Sequence, residues 1–317
     1  MTETEKRRIL LNSVAARAAL ASVATAIFLI CLKGYAALTT SSVALLGSLA
    51  DSGLDLLASL VTLYGVRLAA TPADHDHRFG HGKAEALAAL FQVALVTASA
   101  LAIGWRGISA LGDRAPVADA ELGIAVSGAA IVATIMLVTY QKRIIAATGS
   151  VAVQADSLHY QGDVLLNLSV IAALVLDRYV GLPGVDPLFG IAIAGWLGFG
   201  AFKASAQAID QLMDKEWPED DRQRYIAVAV ANPDVRGIHD FRTRRSGTRD
   251  FAQFHMNVDR DITVAEAHDV VEAVEMALHK AFPKVEVLIH LDPEGHSDTD
   301  DPLVEEDVTP HWFRKRA

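Results

Sequence analysis

Cysteine is almost missing from this sequence. Cys31 stands alone in 317 residues, which excludes a disulfide framework and a thiolate metal centre. Set in an apolar run, it reads as a small packing residue. Positive charge is scarce as well: 28 Lys and Arg face 38 Asp and Glu, for a formal net charge of −10, and a nucleic-acid partner is excluded. The deficit is local. Before Asp214 the chain holds 15 acidic and 14 basic residues; from Asp214 onward it holds 23 and 14. No short apolar core with a small-residue cleavage pattern opens the chain, so no cleavable signal peptide is expected. There is no His-Glu-x-x-His run either, which removes the minimum motif for an intramembrane metal-dependent hydrolase.

Apolar sequence, by contrast, is abundant. Hydrophobic residues make up 52% of the chain and mean hydropathy is +0.29, the composition of a membrane protein. Six apolar segments near the roughly 20 residues that a span requires are predicted at 14–38, 42–69, 84–111, 122–140, 151–176 and 187–212. Loops at 71–83 and 141–150 lie on one side with the amino terminus, and they carry Lys6, Arg7, Arg8, Arg67, Arg78, Lys83, Lys142 and Arg143. The opposite side has little beyond Arg106, Arg114 and Arg178. By the positive-inside bias, both termini are predicted cytoplasmic.

After Asp214 the pattern changes to that of a small soluble domain. A helix is predicted at 219–231, closed by Asn232-Pro233. Strands follow at 235–245 and 249–258, joined at Ser246-Gly247-Thr248. Thr263, with Glu266 three residues on, reads as the capping box of a helix at 263–282, and 285–291 alternates as a last strand. The order αββαβ makes a two-layer α+β domain. The expected division is 1–212 for the six-helix membrane domain, 213–293 for the α+β domain, and 294–317 for an acidic tail too poor in aromatics to fold.

Charged groups inside the predicted spans carry the chemistry. Asp51 and Asp55 are four residues apart in the second span, hence on one helix face. His159 and Asp163 repeat that spacing in the fifth. Each such group costs roughly 2.5–3.5 kcal/mol at mid-membrane, so two pairs need a common solution. Brought face to face they offer three carboxylates and one imidazole, a tetrahedral set for a first-row divalent cation, Zn²⁺ above all. A neutral His in that set also competes for protons near neutral pH. The loop Asp74-His75-Asp76-His77-Arg78-Phe79-Gly80-His81-Gly82-Lys83 has a second metal-site composition. Asp156, one turn before His159, is left without a direction by the sequence.

The runs Asp51-Ser-Gly-Leu-Asp55, His77-Arg-Phe-Gly-His-Gly-Lys-Ala-Glu85 and Leu158-His-Tyr-Gln-Gly-Asp163 resemble the cation diffusion facilitator family, in its bacterial zinc and ferrous-iron efflux branch. The resemblance covers 8–293. It implies a homodimer in the inner membrane, six helices per protomer, a cytoplasmic metallochaperone-like domain, and exchange of a divalent metal for protons by alternating access, without enzymatic activity. It implies Zn²⁺ as cargo and structural ion, with Fe²⁺ and Cd²⁺ as alternatives. Residue by residue, it implies a transport site at Asp51, Asp55, His159 and Asp163, and a loop site at Asp74, His77 and His81. It further implies a cytoplasmic binuclear site at His239, His255, His268, His290 and Asp292, and a charge pair of Lys83 with Asp214 between protomers. Leu291 departs from the glutamine of close relatives, at a position able to ligate through its backbone carbonyl. A membrane-anchored metal sensor is the alternative reading, although an anchor has no need of paired intramembrane carboxylates.

Overall fold

The computed structural model describes residues 3–40, 43–111, 121–176, 185–247 and 249–295. Thr248 of the expected turn and residues 296–317 of the expected tail lie outside them. The chain divides into two compact units, one spanning 9–209 and the other built on residues from 210 onward.

The first unit is helical: α1 (Glu3–Thr40), α2 (Val43–Ala69), α3 (Ala84–Ser109), α4 (Glu121–Thr148), α5 (Val151–Val175) and α6 (Asp186–Leu212). Among the described residues, five helices are long and apolar enough to cross a membrane: α1, α2, α3, α4 and α6. Helix α5 is of similar length and carries Gln154, Asp156, His159, Gln161, Asp163 and Asn167. The apolar stretch of α1, Val14–Thr39, matches the expected 14–38, although the helix itself begins at Glu3; one end differs from expectation. Helix α4 runs past Tyr140 to Thr148, where a loop was expected. Its buried face continues there, with Gln141 and Ile144 buried and Lys142 and Arg143 exposed.

Helix α4 ends against Gly149, whose φ of 69° is free only to glycine. Ser150 then caps α5 by accepting from the Val153 N–H at 3.4 Å. Helices α2 and α3 approach closely at Gly65: a Cβ added there would overlap the Ala88 Cβ. Small residues are how membrane helices gain van der Waals contact, since lipid is as apolar as leucine.

The second unit contains α7 (Glu219–Ala229), β1 (Gly237–Ser246), β2 (Arg249–Val258), α8 (Val264–Ala281) and β3 (Val285–Pro293). Its sheet order is β1-β2-β3, antiparallel between β1 and β2 and parallel between β2 and β3. The parallel pair needs a crossover, and α8 supplies it. One face of the sheet and the apolar faces of α7 and α8 bury Tyr225, Ile226, Ile238, Phe254, Met256, Val274 and Leu278. Each such side chain stabilises the fold by about 1.5–3 kcal/mol relative to exposure. The capping box of α8 is formed: Thr263 Oγ1 accepts from the Glu266 N–H at 3.3 Å, and the Glu266 carboxylate accepts from the Thr263 N–H at 2.8 Å.

Candidate metal centres

Within the helical unit, α2 and α5 meet at Asp55 and His159. His159 Nε2 lies 2.7 Å from Asp55 Oδ1 and 3.9 Å from Asp163 Oδ2. Single ligand atoms from Asp55, His159 and Asp163 fall within 4.8 Å of one another. Asp51 does not join them. It sits one turn away on α2 with an exposed side chain, so the four-residue ligand set contracts to three in this arrangement. Lys33 of α1 also turns inward beside this end of the site, donating to Ser52 Oγ at 2.8 Å.

One turn before His159, Asp156 takes a direction that the sequence left undecided: it is wholly buried. Its Oδ2 accepts from Ser22 Oγ of α1 at 2.6 Å and from Gln141 Nε2 of α4 at 2.8 Å. Its Oδ1 accepts from Gln92 Nε2 of α3 at 2.6 Å and, more weakly, from Ser59 Oγ of α2 at 3.5 Å. Four donors match the acceptor capacity of an ionised carboxylate. Isolated polar residues within the predicted spans, Ser22, Ser59 and Gln92, with Gln141 one residue past the end of the fourth, were the sequence signal for this cluster.

All three expected residues of the loop converge. The Asp74 carboxylate accepts from the backbone N–H of His77 at 2.6 Å and of Asp76 at 3.0 Å. These bonds, that of His77 first, hold its carboxyl below the usual aspartate value. His77 Nδ1 is 3.4 Å and His81 Nε2 3.3 Å from its two oxygens. Buried His81 Nδ1 has no protein partner, so the imidazole is presented to the carboxylate through one nitrogen.

In the second unit, strand register does the assembling. His239 pairs with His255 across β1 and β2, and His255 pairs with His290 across β2 and β3, which aligns three imidazoles in one row. Asp292, two residues along β3 and hence on the same face, is the hub. Its Oδ2 lies 2.8 Å from His255 Nδ1 and 3.4 Å from His239 Nε2, and its Oδ1 lies 3.6 Å from His290 Nε2. Ligand atoms of His239, His255 and Asp292 fall within 4.8 Å of one another; His290 flanks this trio, largely exposed. His268 does not belong to it. It is an exposed residue of α8, so the five-residue cytoplasmic set is incomplete within one chain.

The sequence reading missed Asp240. The β1–β2 register breaks between His239 and Arg242, and Asp240 takes φ 48° at that bulge. Bulges re-aim side chains; this one brings Asp240 Oδ2 to 3.8 Å from His255 Nε2. Asp240, Gln253, His255 and His290 line a cavity of about 200 Å³ beside the trio. Of the expected charge pair, Lys83 stands at the start of α3 and Asp214 lies 3.8 Å from Arg244 of its own unit.

Long apolar helices followed by a separate αββαβ unit define a multi-pass membrane protein with a soluble carboxy-terminal domain. Two family models cover nearly all of it: the cation efflux transmembrane domain matches residues 19–213 and the cytoplasmic domain of cation efflux proteins matches 217–294. The chain belongs to the cation efflux, or cation diffusion facilitator, family. It is 46% identical to the cation-efflux pump FieF of Shewanella oneidensis over 86% of this chain and 92% of that protein. The FieF pump of Cronobacter sakazakii is 43% identical over 87% and 92%. The metal-bound C-terminal domain of the CzcD transporter from Thermotoga maritima aligns at 32% identity over 25% of this chain and 95% of its own, with a TM-score of 0.24. The family expectation therefore holds, and the activity is that of a divalent-cation efflux transporter rather than of an enzyme.

Proposed function

We propose that the protein exports Zn²⁺ across the bacterial inner membrane in exchange for protons, as a homodimer alternating between inward- and outward-facing states. The convergence of Asp55, His159 and Asp163 between α2 and α5 carries this reading. Two carboxylates and an imidazole suit Zn²⁺, with Fe²⁺ and Cd²⁺ next, whereas Mg²⁺ prefers oxygen alone. Asp51, one turn away, supplies the fourth ligand when its side chain swings in. The carboxylate and imidazole lone pairs that take the metal also take protons, so each cation displaces the other. Occupancy then biases which face is open, by differential affinity for the two states.

The division into 1–212, 213–293 and 294–317 is retained in this reading, with both termini cytoplasmic. Asp74, His77 and His81 take up metal at the loop. The cytoplasmic trio of His239, His255 and Asp292 holds a resident ion, for which two imidazoles and a carboxylate are a fitting donor set. His290 and the outward His268 complete a second position when two copies meet, coupling metal to dimer stability. Lys83 and Asp214 add an interprotomer charge pair worth about 0–1 kcal/mol if solvated.

The test is flux. Purified protein in proteoliposomes with a pH-sensitive dye inside is exposed to Zn²⁺ at fixed membrane potential. Zn²⁺ entry with stoichiometric proton exit is expected. Absence of Zn²⁺ movement, or movement with no proton counterflow, would overturn the proposal.

A further inference from the structure

Exposure changes steadily along α5. Asp156 is fully buried, the His159 side chain is 12% exposed and that of Asp163 31%. The same trend runs in reverse along the antiparallel α2, from buried Ser59 through Asp55 to exposed Asp51. The metal-type cluster is thus open at the Asp51 and Asp163 end and closed at the end facing the amino terminus of α5. What closes it is the Asp156 cluster. Ser22, Ser59, Gln92, Gln141, Asp156 and Tyr160 are each fully buried, and they belong to α1, α2, α3, α4 and α5. Tyr160 extends the network, its hydroxyl 2.9 Å from Ser59 Oγ and donating to the Ser22 carbonyl at 3.2 Å.

We propose that Asp156 is a positioning residue for transport: its carboxylate latches five helices together beneath His159 and keeps the metal path shut on the α5 amino-terminal side. A side chain with four donors from four neighbouring helices holds them only while all are in register, so a shift of one helix breaks several bonds together. The latch is also built to release. Each glutamine donates to Asp156 through Nε2, yet the buried Oε1 atoms of Gln92 and Gln141 have no protein partner. Buried polar atoms left without partners are costly, and opening to water satisfies them. The closed state therefore carries a penalty that offsets part of the latch, which leaves the closed state favoured but able to open. The transport mechanism does not otherwise use Asp156, which is separated from the ligands by a full helical turn.

This inference rests on the export reading, and its experiment separates the two. Zn²⁺ uptake is measured in everted membrane vesicles, where the loop holding Asp74 and His81 faces the added metal. The variants are Ser22→Ala and Gln92→Leu, each removing one donor, with Asp156→Asn as a third that keeps the side-chain volume. A hydrogen bond to a charged acceptor stabilises by an amount equivalent to roughly tenfold to a hundredfold in an equilibrium. Weakening the latch raises the population open to the added metal, and apparent affinity tightens in proportion to that fraction. A KM for Zn²⁺ lowered about tenfold is expected in the single-donor variants, with Vmax unchanged or reduced. A purely structural role would reduce the amount of folded transporter and Vmax with KM unmoved. KM unchanged or raised in variants that stay monodisperse, with thermal midpoints near wild type, would overturn the proposal. No uptake by wild-type vesicles would instead defeat the export reading itself.

Discussion

Replacing Asp55 by Asn keeps the shape of the side chain and removes its charge, so it isolates electrostatics from packing. In the structure Asp55 Oδ1 sits 2.7 Å from His159 Nε2, with both side chains 12% exposed. With a divalent ion bound, the carboxylates of Asp55 and Asp163 balance its charge. After Asp55→Asn one positive charge is left uncompensated in a largely dry site. Leaving a buried charge without its partner costs about 3–5 kcal/mol. At about 1.4 kcal/mol per factor of ten, Zn²⁺ affinity falls by roughly two to four orders of magnitude. Equilibrium binding of Zn²⁺ to the purified protein, read beside flux in proteoliposomes, measures this. The helical fold should persist, because Asn retains a hydrogen-bonding partner for His159. A transport KM within about threefold of wild type, in a variant that is folded, would refute the assignment of Asp55 to the site.

Three further outcomes follow from other parts of the structure. His255→Ala removes the imidazole nearest Asp292, so it should lower the number of Zn²⁺ ions bound per chain and abolish the Zn²⁺-dependent rise in thermal midpoint of the soluble unit; an unaltered rise would contradict the trio. That rise in wild type should correspond to about 2.7 kcal/mol at a free metal concentration one hundred times Kd. Thr263→Ala dissolves the capping box of α8 and should destabilise that unit by about 1 kcal/mol in urea unfolding; no loss would mean the cap is idle. Gly65→Ala forces a methyl into the Ala88 Cβ and should cost about 1–3 kcal/mol by overpacking, seen as a lower melting temperature of the detergent-solubilised protein, whereas an unchanged one would show that α2 and α3 can part freely.

Much of this architecture was legible in the residues because membranes impose strict length and polarity rules. The spans at 42–69, 151–176 and 187–212 fall within a residue or so of α2, α5 and α6, and the αββαβ order followed from periodicity and from Thr263 with Glu266. The interhelical pairing of Asp55 with His159 was readable for an energetic reason: charges in apolar spans must find one another. What stayed hidden depends on rotation and register rather than on composition. Asp51 shares a helix face with Asp55, yet a shared face spans enough arc for one carboxylate to be buried and the other exposed. Asp156 was ambiguous because its partners are single serines and glutamines scattered over four other helices, none of them charged. Asp240 escaped because a one-residue bulge reverses the facing that strand alternation assigns. His268 faces outward, a matter of helix docking that no local pattern encodes.

The brevity of the connection between α4 and α5 has a bearing on how the chain is made. The amino-terminal half of helix α5 carries Gln154, Asp156, His159, Gln161 and Asp163, so that half partitions poorly into lipid as an isolated segment. Only Gly149 and Ser150 separate it from α4, which brings its own Gln141 amide to Asp156. The two helices are therefore suited to leave the insertion machinery together as a hairpin, with α4 covering part of its neighbour's polar face on the way into the bilayer. Lengthening that junction would uncouple them, and the defect would appear during synthesis, before any ion is moved.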